Sequence, residues 1–227
     1  MASTTTQTAV RTPAPDLASA EATVAAVRHL LDAHPRWPEV INRVGPYCPA
    51  LIHDPFIALV GSILHQQVSM SAAATIFKRV KALCPRGRIT PRAILAASPA
   101  QLRSAGLSRQ KTAYMHNLAE SFASRQVTPA GLRRAPDNEV VEAVTRIKGV
   151  GRWTAEMLLM FCLHRPDVWP VHDLGLQRAA QEFFKLRKPP TPKALDTMGE
   201  PWRPYRTYAT WYLWRSLERP IPPSVTH

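Results

Sequence analysis

Apolar residues recur at intervals of three and four along most of the chain, which is the spacing of a helix with one buried face. Val24, Val27, Leu30 and Leu31 form one such face, and proline or glycine punctuates the chain where the patterns end. No segment alternates apolar and polar residues with the period of a strand. The pattern therefore predicts an all-α protein with short helices at about 17–34, 39–44, 56–66, 69–84, 91–97, 99–104, 108–123, 129–134, 137–147, 152–163, 174–184, 192–198 and 205–217.

The charge of the chain indicates a polyanionic partner. Its 29 lysine and arginine residues against 16 acidic residues give the 227-residue chain a formal net charge of +13. DNA or RNA is the first interpretation and an anionic membrane surface is its rival, although no apolar run of about 18 residues predicts a transmembrane helix. Three scattered cysteines without a CxxC pair favour an intracellular protein with no zinc or iron–sulfur site. The first twelve residues lack the pattern of a secretory signal, so we expect a cytoplasmic, nucleoid-associated protein.

A glycine hairpin between two predicted helices is the strongest candidate for binding such a partner. Gly149 and Gly151 flank Val150, and glycine permits a tight turn at positive φ or a close approach to another surface. The amides of the turn and of the next helix form an anion site that suits a nucleic-acid phosphate. Further cations and a hydroxyl flank this site, at Lys148, Arg152 and Thr154. A plain helix–helix connector is the alternative, since glycine often ends a helix.

One carboxylate, Asp173, follows the second helix of the hairpin and precedes another predicted helix. As an acceptor for the first amides of that helix, it would serve as an N-cap. A fixed carboxylate near a bound phosphate also suits a reaction in which positive charge develops on a sugar ring. The residues alone leave both roles open, and the two roles are compatible.

Several further motifs occur in a defined order between about residues 55 and 215. They are Gly-Leu-Ser at 106–108 with Lys111, Leu-Ala at 118–119, Gly-Arg-Trp-Thr-Ala at 151–155, Val-Trp-Pro-Val-His-Asp-Leu at 168–174, Pro-Trp-Arg-Pro-Tyr at 201–205 and Trp-Tyr at 211–212. Together with the segment from Ile147 to Asp173, this order resembles the helix-hairpin-helix (HhH-GPD) DNA glycosylase superfamily. Within this superfamily, the chain most resembles the AlkA-type branch, the 3-methyladenine DNA glycosylase II family.

The resemblance implies a two-lobed all-α fold with the active-site cleft between the lobes. We expect a core lobe at about 66–165, with the helix-hairpin-helix motif at 140–163, and a second lobe made of 17–65 and 166–227. Residues 1–16 are predicted to be a disordered tail. The N-terminal β-rich domain of the best-known family member is expected to be absent.

The same resemblance implies a base-excision-repair enzyme that acts as a monomer on double-stranded DNA. It would flip out an alkylated, cationic base such as 3-methyladenine or 7-methylguanine and hydrolyse its N-glycosidic bond, with Asp173 stabilising the charged sugar. Superfamily members that cut the strand carry a lysine where this chain has Trp153. The resemblance therefore implies a monofunctional enzyme that leaves an abasic site and requires no cofactor for catalysis.

The other expected site residues also come from the resemblance. Aromatic side chains attract a cationic base, and the expected base pocket consists of Trp153, Trp211, Met157, Tyr208 and His172. Gln67 is expected to be the wedge that fills the gap left by the flipped base. The other expected DNA contacts are Gly149, Val150, Gly151, Arg152, Thr154, Lys148, Gln66 and Ser69. A structural Na⁺ or K⁺ is implied at the hairpin, on the backbone carbonyls of Thr145, Ile147 and Val150.

Two alternative functions stay open on the sequence. One is an HhH glycosylase of another specificity, such as uracil, mismatched adenine or oxidised guanine. The other is a non-catalytic HhH DNA-binding module. Asp173 argues against the module, and Trp153 argues against the lysine-dependent branches.

Overall fold

The structure, a computed structural model, describes residues 19–218, and within this range the chain is helical with no β-strand. The predicted all-α class is confirmed, and no described helix is both long and apolar enough to cross a bilayer. The tail predicted for residues 1–16 lies outside the described residues. In chain order the helices are α1 (Ala20–Ala33), α2 (Trp37–Val44), α3 (Pro55–His65), α4 (Met70–Leu83), α5 (Pro91–Ala96), α6 (Pro99–Ser104), α7 (Arg109–Ala123), α8 (Pro129–Arg134), α9 (Asp137–Thr145), α10 (Arg152–Phe161), α11 (Leu174–Phe184), α12 (Pro192–Gly199) and α13 (Arg206–Leu217).

Most of these helices begin where the sequence supplies a capping side chain. A serine, threonine or aspartate oxygen accepts a hydrogen bond from an amide of the first turn, which the helix itself leaves unpaired. These caps are Ser19, Asp54, Ser69, Thr90, Ser98, Ser108, Thr128, Asp173 and Thr191. Asp137 does not cap α9, because Pro136 occupies the N-cap position, and the Asp137 carboxylate lies 3.2 Å from Arg165 Nε.

The buried apolar side chains form two clusters. The first hydrophobic cluster is built from the segment α3 to α10, and the second from α1, α2, α11, α12 and α13. Phe161 of α10 and Trp214 of α13 pack against both, so they mark the junction between the clusters. The lobe boundary predicted at residue 65 stays a prediction, and α3, which it assigned to the second lobe, packs within the first cluster. This helix packs against α4, α7 and α10, which leaves Leu59, Ile63 and Leu64 with no exposed surface inside the first cluster.

Candidate active site and DNA interface

Asp173 lies at the start of α11 with both of its carboxylate oxygens engaged. Its Oδ1 accepts a hydrogen bond of 2.6 Å from the Leu176 amide, which confirms the predicted N-cap, and another of 2.8 Å from Trp214 Nε1. Its Oδ2 accepts one of 2.8 Å from Trp153 Nε1. Three donors therefore hold the carboxylate in one orientation, and Oδ2 keeps a lone pair for a further partner.

The loop that carries Asp173 is tied to the first turn of α13. The Arg206 side chain, 8% exposed, donates from Nε and Nη2 to the two carboxylate oxygens of Asp167, at 2.7 and 3.0 Å. The Val168 amide donates to Thr207 Oγ1 at 2.9 Å. A two-point guanidinium–carboxylate contact fixes direction as well as distance. These contacts therefore fix the loop that precedes Asp173 to the start of α13.

Of the predicted base-pocket residues, Trp153 is hydrogen-bonded to Asp173, His172 precedes it in the chain, and Met157 lies one turn from Trp153. Trp153 remains 51% exposed although its indole nitrogen is bonded to the carboxylate. Met157 is half-buried one turn further along α10, on the face that Trp153 occupies, and the exposed His172 precedes Asp173 directly. Leu174, 78% exposed, follows Asp173 and extends the apolar surface. The carboxylate is thus bordered by an exposed aromatic ring and an exposed aliphatic side chain.

Tyr208 and Trp211 do not lie on this surface. Tyr208 has no exposed surface and Trp211 is 8% exposed, and both rings pack on Tyr47 in the second cluster, with centroid distances of 4.4 and 4.8 Å. The structure therefore does not support a pocket role for these two residues, because their sides of α13 face the core. Trp214, one turn beyond Trp211, is the residue of α13 that reaches Asp173. Trp211 and Trp214 both lie in the tryptophan-rich segment of α13. Helical periodicity alone does not show which of the two faces Asp173.

The predicted hairpin joins α9 to α10, and its two glycines have different surroundings. Ile147 and Val150 are each 4% exposed, and the Val150 amide closes the turn by donating to Ile147 O at 2.9 Å. Gly149 has a φ of +100°, and an added Cβ would lie 2.2 Å from the Tyr114 ring. Gly151 is the N-cap of α10, and a Cβ there would meet nothing within 4 Å. Gly149 therefore serves the internal packing, whereas the backbone at Gly151 is open to an external partner.

The turn between α3 and α4 is fastened to this hairpin. Gln66 Nε2 donates to Gly149 O at 2.9 Å, and Lys111 Nζ donates to Leu64 O at 2.8 Å near the end of α3. Burial lowers the pKa of the Lys111 amine. Gln67 follows in the left-handed region, at a φ of +57°, with an exposed side chain. The residue predicted as the wedge therefore projects from a turn that is anchored on two sides.

The remaining predicted DNA contacts fall into two groups. Lys148, Arg152 and Ser69 are exposed, and Ser69 also caps α4. Thr154 is only 5% exposed, on the buried side of α10 next to Ala155. The DNA contact predicted for Thr154 stays a prediction, although little of its side chain is exposed.

Glu156, which the sequence did not single out, holds Arg152 at the N-terminal end of α10. Its side chain is 6% exposed, and its Oε1 accepts a hydrogen bond of 3.0 Å from Arg152 Nε. Burial raises the pKa of the Glu156 carboxyl, and the neighbouring Arg152 opposes that rise. Arg152 itself is 66% exposed, so its charge stays available beside the hairpin amides.

The raised pKa of Glu156 predicts how Glu156→Gln changes stability with pH. A carboxyl that titrates higher in the folded state binds more protons there, so its contribution to stability falls as pH rises from its ordinary value of 4.5 through the folded value. We therefore expect the free energy of unfolding of the wild type to decline relative to that of Glu156→Gln across this window. Denaturant titrations between about pH 4 and pH 7 measure the difference. A difference that does not change with pH contradicts the assignment.

A family model described as "HhH-GPD superfamily base excision DNA repair protein" matches residues 60–204, which contain both the hairpin and Asp173. The chain is 31% identical to the alkylbase DNA glycosidase-like protein mag2 of Schizosaccharomyces pombe, over 84% of this chain and 92% of that protein. A solved 3-methyladenine DNA glycosylase of Schizosaccharomyces pombe, in complex with abasic DNA, has a TM-score of 0.77 and 33% identity, covering 84% of this chain and 95% of that one. A DNA-3-methyladenine glycosidase of Bacillus halodurans gives a TM-score of 0.77 and 34% identity, covering 90% and 92%. The chain belongs to the HhH-GPD superfamily of base excision DNA repair proteins.

Proposed function

We propose that the protein is a monofunctional DNA glycosylase that removes alkylated, cationic bases such as 3-methyladenine and 7-methylguanine from double-stranded DNA. The observation that carries this proposal is the Asp173 carboxylate, held by three donors beside the half-exposed ring of Trp153. The names of the relatives support 3-methyladenine as a substrate, and the Schizosaccharomyces pombe complex supports DNA as the partner. Action as a monomer on nucleoid DNA in the cytoplasm is part of the same proposal.

The carboxylate supplies the electrostatic part of the reaction. As the base leaves with the electrons of the N-glycosidic bond, positive charge develops on the deoxyribose ring, and a fixed negative charge beside that ring stabilises the transition state. The free lone pair of Asp173 Oδ2 can orient a water molecule, whose oxygen forms the new bond to the sugar carbon and whose proton passes to solvent. A cationic alkylated base is already a good leaving group, so the reaction needs little acid catalysis.

Trp153 supports two features of the proposal. Its exposed ring can stack on a cationic base, a contact worth about 0.5–2 kcal/mol. Its indole nitrogen donates to Asp173, and that nitrogen has no free lone pair with which to attack a sugar carbon. Strand cleavage through a Schiff base requires an amine at this place. We therefore expect release of the base without strand cleavage.

A panel of DNA duplexes, each with one modified base, tests the function. We expect release of 3-methyladenine and 7-methylguanine, with strand breaks appearing only after alkali treatment, and no covalent adduct when borohydride is added. Release of uracil or oxidised guanine in their place would point to another specificity. DNA binding without release of any base would point to a non-catalytic module, and a trapped adduct would contradict the monofunctional part.

The net charge predicts that DNA binding weakens steeply with salt. Each phosphate neutralised contributes about −0.9 to the slope of log affinity against log salt, so several contacts give a slope of about −3 or steeper. Lys148→Gln, a change at an exposed position beside the hairpin, should make the slope shallower by about 1. Fluorescence anisotropy with an undamaged duplex between about 50 and 200 mM salt measures both. A flat dependence would contradict a phosphate-binding interface.

A monovalent cation at the hairpin is a further part of the proposal, and the residues there fit it. Thr145 is the last residue of α9, so its carbonyl is among those that a helix leaves without an internal partner. Ile147 O accepts from the Val150 amide and keeps its second lone pair. A bound ion would stiffen the hairpin without entering the reaction. DNA affinity should then be higher in K⁺ or Na⁺ than in a bulky organic cation at equal ionic strength, and equal affinities contradict the site.

A further inference from the structure

We propose that Trp214 is a positioning residue that fixes the reactive orientation of Asp173, and that Gly175 is the residue that lets the Trp214 indole reach it. This inference rests on the proposed function. The Trp214 Nε1 donates to Asp173 Oδ1 at 2.8 Å, and the same oxygen accepts the Leu176 amide. Oδ1 is therefore the anchored side of the carboxylate, and Oδ2, which meets the exposed Trp153, is the side that faces the substrate.

The surroundings of Trp214 make it suitable as a fixed support. It is half-buried and packs against both hydrophobic clusters, with its ring centroid 6.3 Å from that of Phe161. Trp153 differs, because more than half of its surface is exposed and its ring borders the place where a base would stack. The two tryptophans therefore have different roles, since Trp214 holds the carboxylate in place and Trp153 borders it on the exposed side.

Gly175 supplies the space that this contact needs. A Cβ at residue 175 would lie 3.0 Å from Asp173 Oδ1, which is tighter than most real contacts, and 3.4 Å from Trp214 Nε1, which is the near limit of ordinary van der Waals contact. Gly175 lies in the first turn of α11 and does not have a positive φ, so its backbone geometry is open to any residue. Glycine in a helix is less favourable than alanine by up to about 1 kcal/mol. The close approach of the Trp214 indole to the Asp173 carboxylate explains why glycine stands at this helical position despite that cost.

The loss of the Trp214 contact predicts a defect in the chemical step. Without it, Oδ1 keeps only the Leu176 amide, and the carboxylate can turn away from the sugar. Misplacement of a reacting group by about 1 Å can reduce a rate by about 100-fold. Binding of DNA depends on the hairpin and the basic surface, so it should be preserved.

Two variants test the proposal from opposite sides. Trp214→Phe keeps a ring but removes the donor, and Gly175→Ala keeps the donor but crowds it. We expect each to lower the single-turnover rate of 3-methyladenine release by about 10- to 100-fold. The dissociation constant for a duplex with a tetrahydrofuran abasic analogue should stay within about twofold, since no phosphate contact is changed. Gly175→Ala should change the melting temperature little, because the preference of alanine for a helix offsets the cost of the disturbed contact.

A matched control separates positioning from general packing. Trp202→Phe removes the same volume from a tryptophan that is 1% exposed in the second cluster and is not bonded to Asp173. It should lower the melting temperature without lowering the single-turnover rate. Wild-type rates in Trp214→Phe and Gly175→Ala would overturn the proposal, and so would equal losses of rate in all three variants.

A spectroscopic measurement distinguishes failure of this inference from failure of the proposed function. In ¹⁵N-labelled protein, the indole N–H signal of Trp214 should exchange slowly with solvent, and it should shift in Asp173→Asn and in Gly175→Ala. If the wild type released no base from any duplex, the function would fail while these shifts still supported the contact. If the indole signal exchanged quickly and did not respond to either variant, the inference would be overturned whatever the activity.

Discussion

Asp173→Asn is expected to lower the rate of base release by about 1000-fold or more while the protein stays folded and still binds DNA. Removal of a single well-placed electrostatic group costs enzymes about 100- to 1000-fold, and here the group removed carries a full charge opposite the developing cation. Asparagine caps helices as well as aspartate does, so α11 keeps its first turn. Single-turnover release of 3-methyladenine measures the effect.

The hydrogen bonds of Asp173 also predict a moderate loss of stability in this variant. The asparagine amide group must face one of the two indole donors, Trp153 or Trp214, which leaves a donor opposite a donor at a cost of about 1–3 kcal/mol. Asp54→Asn is a matched control, because Asp54 also caps a helix, α3, at the opposite end of that helix from the turn that carries Gln66. It should keep the wild-type rate. A rate within tenfold of the wild type in Asp173→Asn would contradict the role of the carboxylate.

Alanine at the two hairpin glycines is expected to have different effects, a loss of stability at Gly149 and a loss of DNA affinity at Gly151. Gly149→Ala places a side chain at a φ of +100° and 2.2 Å from Tyr114, so we expect the free energy of unfolding to fall by about 2 kcal/mol or more. Gly151→Ala meets no protein atom within 4 Å and should cost at most about 1 kcal/mol as a poorer N-cap. Its methyl group lies where a phosphate would approach the amides, so DNA affinity should fall by about tenfold or more, about 1.4 kcal/mol.

Urea titrations and anisotropy with a 3-methyladenine-free duplex measure stability and affinity for both variants. Gly61→Ala is the control, since its Cβ would also meet nothing within 4 Å but the residue lies within α3 and outside the hairpin. It should preserve both properties. Wild-type DNA affinity in Gly151→Ala would show that the hairpin backbone does not approach a phosphate.

The helices and their caps were largely predictable because they depend on nearby residues. The period of apolar positions located the segment that became α3, and Asp173 was identified as a cap from its place before a helical pattern. The cluster to which α3 belongs was not predictable in this way. The apolar face of α3 could be buried in either cluster. Only its contacts with α4, α7 and α10 show that it belongs to the first.

The parts of the candidate site that depend on residues close in the sequence were predictable. The parts in which two distant segments meet were not. Asp173 and Trp153 stand in recognisable local patterns. Trp214 reaches Asp173 across 41 residues, and a neighbouring tryptophan on the same helix, Trp211, fitted the pattern equally well. The unlike roles of Gly149 and Gly151 likewise depend on Tyr114, which lies on α7.

The turn between α3 and α4 has a consequence for the thermodynamics of DNA binding. Gln66 is fixed to Gly149 O, Lys111 is fixed to Leu64 O, and Gln67 is already in its left-handed conformation in the protein alone. The loss of conformational entropy in this turn therefore occurs during folding and not during binding. Damaged duplex would meet a rigid tip, so distortion on complex formation falls on the DNA, and bases whose stacking or pairing is already weakened are the easiest to displace.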